Sequence, residues 1–280
     1  MLNNLKYGWQ LLRCKDWSVQ NGIFLLGAFF ADNLLHQGWL FVSASLILSC
    51  LCLGYAYSLN EFYDELRDKL TDQPQTLIGL LWFIYALLTL ALVLSWWIAP
   101  MTLAMVILIG ITVWMHSSPP LVLKRNLFWR LFLNSLGFAL FFLAGASLDD
   151  HLSPEELSMG LFIFGLYLPL ELIHVLAHMD SDRAKNFPTI ALIYGERTTL
   201  WLAISFLAVL ILYSILLCVW NFVSALFCGW CVAHLSLLAI SLAMFFYRNT
   251  GRTYADLRLL VKIVCAVFGA GLLAILFLEK

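Results

Sequence analysis

Long apolar runs separated by short polar stretches dominate this chain of 280 residues. An apolar run of about twenty residues is long enough to cross a hydrocarbon core of roughly 30 Å as a helix. The pattern predicts nine spans, over 20–36, 38–59, 76–97, 100–116, 128–148, 158–178, 198–220, 222–246 and 257–278. The first is the most polar, because Asp32, Asn33 and His36 fall within it. Residues 1–19 carry a different pattern. Trp9 and Trp17 suit headgroup depth, while Lys6, Arg13 and Lys15 suit water, so an interfacial helix is expected there. The segment lacks the short apolar core and small-residue cleavage site of a removable signal peptide. The expected architecture is an all-α polytopic membrane protein. Its interfacial helix (1–19) precedes a single transmembrane domain (20–280), whose nine helices surround a central cavity open to the cytoplasmic side.

Composition agrees with this class. The chain is 62% hydrophobic and 12% charged, about half the charged fraction of an ordinary soluble domain. The basic residues test the span count independently. With nine spans, the N-terminus and the loops after spans 2, 4, 6 and 8 share one side. That side collects Lys6, Arg13, Lys15, Arg67, Lys69, Lys124, Arg125, Arg130, Arg183, Lys185, Arg197, Arg248, Arg252 and Arg258, fourteen of the sixteen Lys and Arg. Lys and Arg accumulate in cytoplasmic loops. The N-terminus is therefore expected in the cytoplasm, with the chain in the cell (inner) membrane of a prokaryote. No basic patch beyond this stripe points to nucleic acid.

Two acidic clusters stand at the ends of apolar segments on that same side. The first runs Asn60-Glu61-Phe62-Tyr63-Asp64-Glu65-Leu66-Arg67-Asp68, the second His178-Met179-Asp180-Ser181-Asp182. Carboxylates are expensive to hold near a bilayer and persist there mainly when they bind something or line a polar cavity. Asn60, Asp64 and Asp68 are spaced by four, which on a helix directs them the same way. Such a stripe of oxygen ligands suits Mg²⁺, which in turn binds substrate phosphate oxygens. A solvated juxtamembrane loop would explain Glu65, Arg67 and Lys69 but not that spacing. The pattern points to diphosphate chemistry inside a membrane.

With these residues in view, Asn60-Glu61-x-x-Asp64-x-x-x-Asp68 resembles the NDxxDxxxD signature of the UbiA superfamily of intramembrane prenyltransferases. Glu61 stands where Asp is usual. His116-Ser117-Ser118-Pro119-Pro120-Leu121-Val122-Leu123-Lys124 is similar to the YSxPPxxxK stretch after that family's fourth helix, with His116 in place of Tyr. Asp182-Arg183-Ala184-Lys185-Asn186-Phe187-Pro188-Thr189, followed by Gly195, resembles its second acidic motif. There His178 occupies the position of a usual Asp and Asn186 that of a usual Gly, and Asp180 is expected to supply the missing carboxylate. The resemblance covers roughly residues 15–260 and includes a nine-helix layout.

The resemblance implies an enzyme that transfers an isoprenyl group from a polyprenyl diphosphate to a lipophilic acceptor, aromatic or quinone-precursor, with Mg²⁺ as cofactor. It implies Asn60, Asp64, Asp68, Asp180 and Asp182 as metal ligands, with Asp64, Asp68, Asp182 and Lys124 central to catalysis. Lys124 matches a family position and is the first choice for a diphosphate contact, followed by Arg67 and Arg183. Positive-inside anchoring is the bland explanation of those cations. Asn60 and Glu61 are expected at the substrate. Glu171, His174 and His178 lie at i, i+3 and i+7 with Asp182 one turn on, and are expected to line the substrate cavity. The HExxH order of helical zinc hydrolases is absent, which disfavours a Zn site there.

Other features add less. Cys228-Gly229-Trp230-Cys231 has C-x-x-C spacing but lies within an expected span without a second ligand pair. Gly165, Gly269 and Gly271 are expected at close helix contacts. Three other functions fit parts of the pattern. Phosphoribosyl transfer to a polyprenyl lipid is one: Trp17-x-x-x-Asn21 resembles a branch of the same superfamily with that activity, although the retained Asp182 and Thr189 argue against it. A transporter is the second, although no matched pair of interrupted helices is visible. A non-catalytic membrane partner is the third, given His178 and Asn186.

Overall fold

The computed structural model describes residues 12–14, 17–30, 38–66, 73–184, 188–248 and 254–279. Among them the chain is helical, with no strand. The helices are α1 (Ser18–Phe30), α2 (Gly38–Glu61), α3 (Pro74–Ile98), α4 (Pro100–Ser117), α5 (Leu127–Ala146), α6 (Pro154–Ala177), α7 (Met179–Ala184), α8 (Ile190–Tyr194), α9 (Glu196–Val219), α10 (Ala225–Arg248) and α11 (Tyr254–Glu279). In hydrocarbon every backbone N–H and C=O needs a partner within the protein, and a helix supplies these along its own length. Eight helices among the described residues are long and apolar enough to cross a membrane. The expected first span corresponds to α1, which has thirteen residues. Asp32, Asn33 and His36 lie outside the described residues, as does most of the expected interfacial segment 1–19.

Local chemistry sets the helix ends. Pro74, Pro100 and Pro154 each occupy the first turn of a helix, where a missing N–H costs nothing. Ala99, extended at φ −163° and ψ 141° before Pro100, is the whole connection between α3 and α4. At α6 the Ser153 hydroxyl accepts from the Glu156 amide at 3.1 Å, and Glu156 accepts from the Ser153 amide at 2.6 Å. This reciprocal cap starts the helix four residues before the expected span.

The chain forms two compact units. One comprises residues 1–123 and 140–152, the other 124–139 and 153–280. In the first, α2, α3 and α4 pack around Tyr55, Leu59, Phe62, Leu80 and Ile84. The end of α5 meets α1 backbone to backbone. A Cβ on Gly27 would lie 2.0 Å from the Phe142 carbonyl oxygen, and one on Gly145 2.0 Å from that of Phe24. Small residues permit such close approach, which replaces the hydrophobic driving force that lipid does not provide.

In the second unit α6, α9, α10 and α11 pack together. A Cβ on Gly271 would strike the Trp230 ring, whose Nε1 donates to the Phe268 carbonyl at 3.1 Å. Gly165 meets Leu210 closely, but nothing lies within 4 Å of a Cβ on Gly269. The expectation of a close contact therefore holds at Gly165 and Gly271 and fails at Gly269, whose helix face is open. Cys228 and Cys231 are buried, unbridged thiols within α10. Exposed Trp39, Trp96, Trp97 and Trp220 sit at helix ends, as expected of aromatic side chains at a membrane interface.

Candidate functional site

The first polar centre lies where α2 and α4 end. After Glu61 the helix widens into a π-helical turn, Phe62–Leu66, which carries Asp64. Single π turns inside α-helices often occur at functional positions. A chain of hydrogen bonds runs into this turn. Ser117 donates its hydroxyl to Asn60 Oδ1 at 2.8 Å, and Asn60 Nδ2 donates to Asp64 Oδ2 at 3.0 Å. His116 Nδ1 lies 3.1 Å from the Ser117 oxygen. Because the Ser117 proton is committed to Asn60, this contact requires the proton on His116 Nδ1. Donors and acceptors alternate consistently from His116 to Asp64, and the order fixes which way the Asn60 amide faces. Two separate sequence motifs are thereby joined in one network. Asp64 itself is exposed.

Glu61 points elsewhere. Its carboxylate pairs with Arg13 at 3.6 Å, and the Arg13 guanidinium lies 5.6 Å from the centre of the Tyr57 ring. The longer side chain at this departure from the usual Asp reaches the segment before α1. Asn21 accepts the Ser49 hydroxyl, a packing contact between α1 and α2. Arg67 and Asp68 lie outside the described residues.

The second centre lies in the other unit. Lys124, in the turn Leu123–Arg125, is only 8% exposed, whereas Arg125 faces out. The Asn126 side chain accepts from the amides of Phe128 and Trp129 at 3.0 and 3.3 Å, which caps α5. One turn into α5, Arg130 Nε donates to Glu171 Oε1 at 3.2 Å, and its Nη1 lies 3.9 Å from Asp182 Oδ2. All three side chains are 14–16% exposed. Arg130 and Glu171 border a shallow open recess whose other walls include Leu127, Leu131, Leu172, Val175 and Thr189. His174 and His178 lie side by side with ring centres 4.6 Å apart.

At His178 α6 stops, and α7 starts immediately afterwards. This break separates Asp180 from Asp182. Asp180 is 93% exposed and pairs with Arg183 at 3.4 Å, while Asp182 turns inward to Arg130. Glu171 and Asp182 are brought together as expected from their spacing, but Asp180 and Arg183 are not part of that group. Thr189 caps α8 through Leu192 N–H at 3.3 Å, and Gly195, at φ +84°, makes the turn into α9. These two motif residues shape the backbone after the acidic cluster. Lys185 and Asn186 lie outside the described residues.

Arg130 was not singled out by the sequence, where it counts as one more cation on the basic side. One local signal was present. A cation in the first turn of a helix opposes the helix dipole, and Arg130 follows a capping Asn126 by four residues.

The fold and these centres define an all-helical integral membrane protein with carboxylates and cations gathered at its helix ends. Residues 22–263 match the model of the UbiA prenyltransferase family, and the chain belongs to that family. Among solved structures, a digeranylgeranylglyceryl phosphate synthase is similar at 16% identity and a TM-score of 0.74, over 96% of this chain and 99% of that one. A UbiA homologue from Archaeoglobus fulgidus bound to DMAPP and Mg²⁺ also matches at 16% identity and a TM-score of 0.74, over 96% and 98%. The same homologue bound to GPP and Mg²⁺ matches at 16% identity and 0.72, over 96% and 99%. At this identity the likeness establishes the fold. A search of curated protein sequences finds no match.

Proposed function

We propose that the chain transfers an isoprenyl group, within the membrane, from a polyprenyl diphosphate to a lipophilic acceptor of the aromatic or quinone-precursor class. The observation that carries this reading is the hydrogen-bonded run from His116 through Ser117 and Asn60 to Asp64. It gives a shared purpose to two motifs that resemble those of the family to which the chain belongs. DMAPP and GPP bound with Mg²⁺ to the Archaeoglobus homologue support the donor class.

The donor set suits Mg²⁺. Asp64 and Asp182 offer hard carboxylate oxygens, and Asp182 Oδ2 is buried without accepting a hydrogen bond. Among the described residues no three His, Cys, Asp or Glu side chains converge on a metal. Mg²⁺ is commonly held by one or two carboxylates together with substrate phosphate oxygens and water. Asn60, Asp64 and Asp68 are the proposed ligands at the first centre, and Asp182 is the proposed ligand at the second. Bound with the diphosphate, Mg²⁺ would offset the negative charge that grows as the allylic C–O bond breaks.

The chain's own groups perform the rest. Ser117 and Asn60 hold Asp64 in one orientation. Lys124, a buried cation, provides a donor to the diphosphate oxygens and gains strength from exclusion of water. The apolar and aromatic helix faces keep water from the allylic cation, and π faces stabilise it. The acceptor then attacks through carbon or oxygen.

In this reading residues 20–280 act as one transmembrane domain preceded by an interfacial segment. Segregation of Lys and Arg supports a cytoplasmic N-terminus in a prokaryotic cell membrane. The test uses purified protein in lipid with labelled isoprenyl diphosphates and candidate acceptors. Mg²⁺-dependent release of diphosphate with formation of a prenylated lipid is expected. Release of neither, across short and long donors, would end the reading.

A further inference from the structure

Arg130 reaches its two acidic neighbours unequally. Its Nε is within hydrogen-bonding distance of Glu171, at 3.2 Å, but its Nη1 is 3.9 Å from Asp182 Oδ2, too far for a hydrogen bond. Asp182 Oδ2 is nevertheless buried and accepts no hydrogen bond. A buried carboxylate oxygen in that condition is unfavourable unless something completes its shell. Arg130 thus supplies Asp182 with countercharge without occupying its lone pairs. Glu171 holds the guanidinium in that position. The walls beside Arg130 and Glu171, which include Leu127, Leu131, Leu172 and Val175, are largely apolar, so this ion pair interacts more strongly than in water.

From this geometry we infer that Arg130 is a positioning residue that stands in for the divalent cation at Asp182 before the donor arrives. Glu171 sets its grip. The inference rests on the prenyl-transfer reading in taking Asp182 to bind a cation with the diphosphate. With a cation bound, Asp182 would serve as its ligand in place of pairing with the guanidinium, and Arg130 would stay with Glu171. Arg130 therefore competes with the cation, and Glu171 weakens that competition. The two residues have opposite effects on cation affinity.

The test is titration of Mn²⁺, as a spectroscopic stand-in for Mg²⁺, into the purified full chain without donor, followed by electron paramagnetic resonance. Arg130→Gln removes a positive charge from beside Asp182 and should tighten Mn²⁺ binding by about tenfold. Glu171→Gln leaves Arg130 more fully to Asp182 and should weaken it by about three- to tenfold. Arg130→Lys, which keeps the charge, should stay near the parent. Asp182→Asn should remove the component that responds to Arg130. In steady-state assays Arg130→Gln should lower kcat more than it raises the donor KM, because Asp182 loses its fixed aim. A merely structural Arg130 would leave Mn²⁺ affinity unchanged or weakened in Arg130→Gln, and that result overturns the inference. If Arg130→Gln fails to fold, unchanged or tighter Mn²⁺ binding in Glu171→Gln overturns it instead. Failure of the parent to transfer any isoprenyl group counts against the functional reading and leaves the Mn²⁺ result to stand or fall alone.

Discussion

Ser117 donates its hydroxyl to the amide oxygen of Asn60 across 2.8 Å, tying the end of α4 to the end of α2. The two residues are 57 positions apart. The contact orients the Asn60 amide so that its nitrogen faces Asp64. A hydroxyl in a stretch otherwise notable for its prolines thus decides how a carboxylate on another helix is held.

Removing that hydroxyl should disorder Asp64 without unfolding the protein. Ser117→Ala is expected to lower turnover by about ten- to a hundredfold, the usual effect of losing a group that orients a metal ligand. Ser117→Thr keeps the donor and should retain most activity. Equal activity in Ser117→Ala and the parent would show that the relay does not matter for turnover.

The inward and outward carboxylates of the second cluster should separate cleanly. Asp182→Asn, like Asp64→Asn in the first cluster, is expected to reduce turnover about a hundredfold or more, with insertion intact. Asp180→Asn should stay within a few-fold, because Asp180 is exposed and its pair with Arg183 is of the weak surface kind. A severe defect in Asp180→Asn would mean that α7 rearranges during turnover.

Stability should depend on the Gly27–Gly145 crossing. Gly145→Val places atoms against the Phe24 carbonyl and should destabilise by about 1–3 kcal/mol or more, since overpacking here meets backbone and not a flexible side chain. Gly22 lies in α1 with Gly27, and nothing is within 4 Å of an added Cβ there. Gly22→Ala should be neutral or stabilising by up to about 1 kcal/mol. Thermal unfolding in one detergent compares the two directly, and equal midpoints would dismiss the crossing as a stability element.

Topology offers a separate check. Reporter fusions after residues 72, 125 and 190 should read cytoplasmic, and a fusion after 152 should read external. Residue 152 follows the apolar stretch Leu127–Asp149, so a cytoplasmic signal there would break the expected alternation.

Much of the molecule was legible without coordinates. A run of twenty apolar residues makes a helix because lipid leaves the backbone no other partner, so class and span positions follow from local composition. The extra turn at the start of α6 escaped that reading, because Pro154, Glu155 and Glu156 look like loop but cap a helix. The acidic clusters and the prolines after α4 were also visible, since their spacing lies within a few turns of chain.

What the tertiary structure decided concerns pairings across helices. Spacing placed Asp180 and Asp182 in one cluster, yet the break at His178 turns one to solvent and the other to Arg130. Nothing near Arg130 in the chain names Glu171, which lies 41 positions away. Gly27 and Gly145 become necessary only when two backbones cross within reach of a carbonyl oxygen. Hydrophobicity and helical period act over a few residues and are written locally. The direction in which a charged side chain settles depends on which opposite charge another helix brings beside it, and that is determined only once the helices have packed.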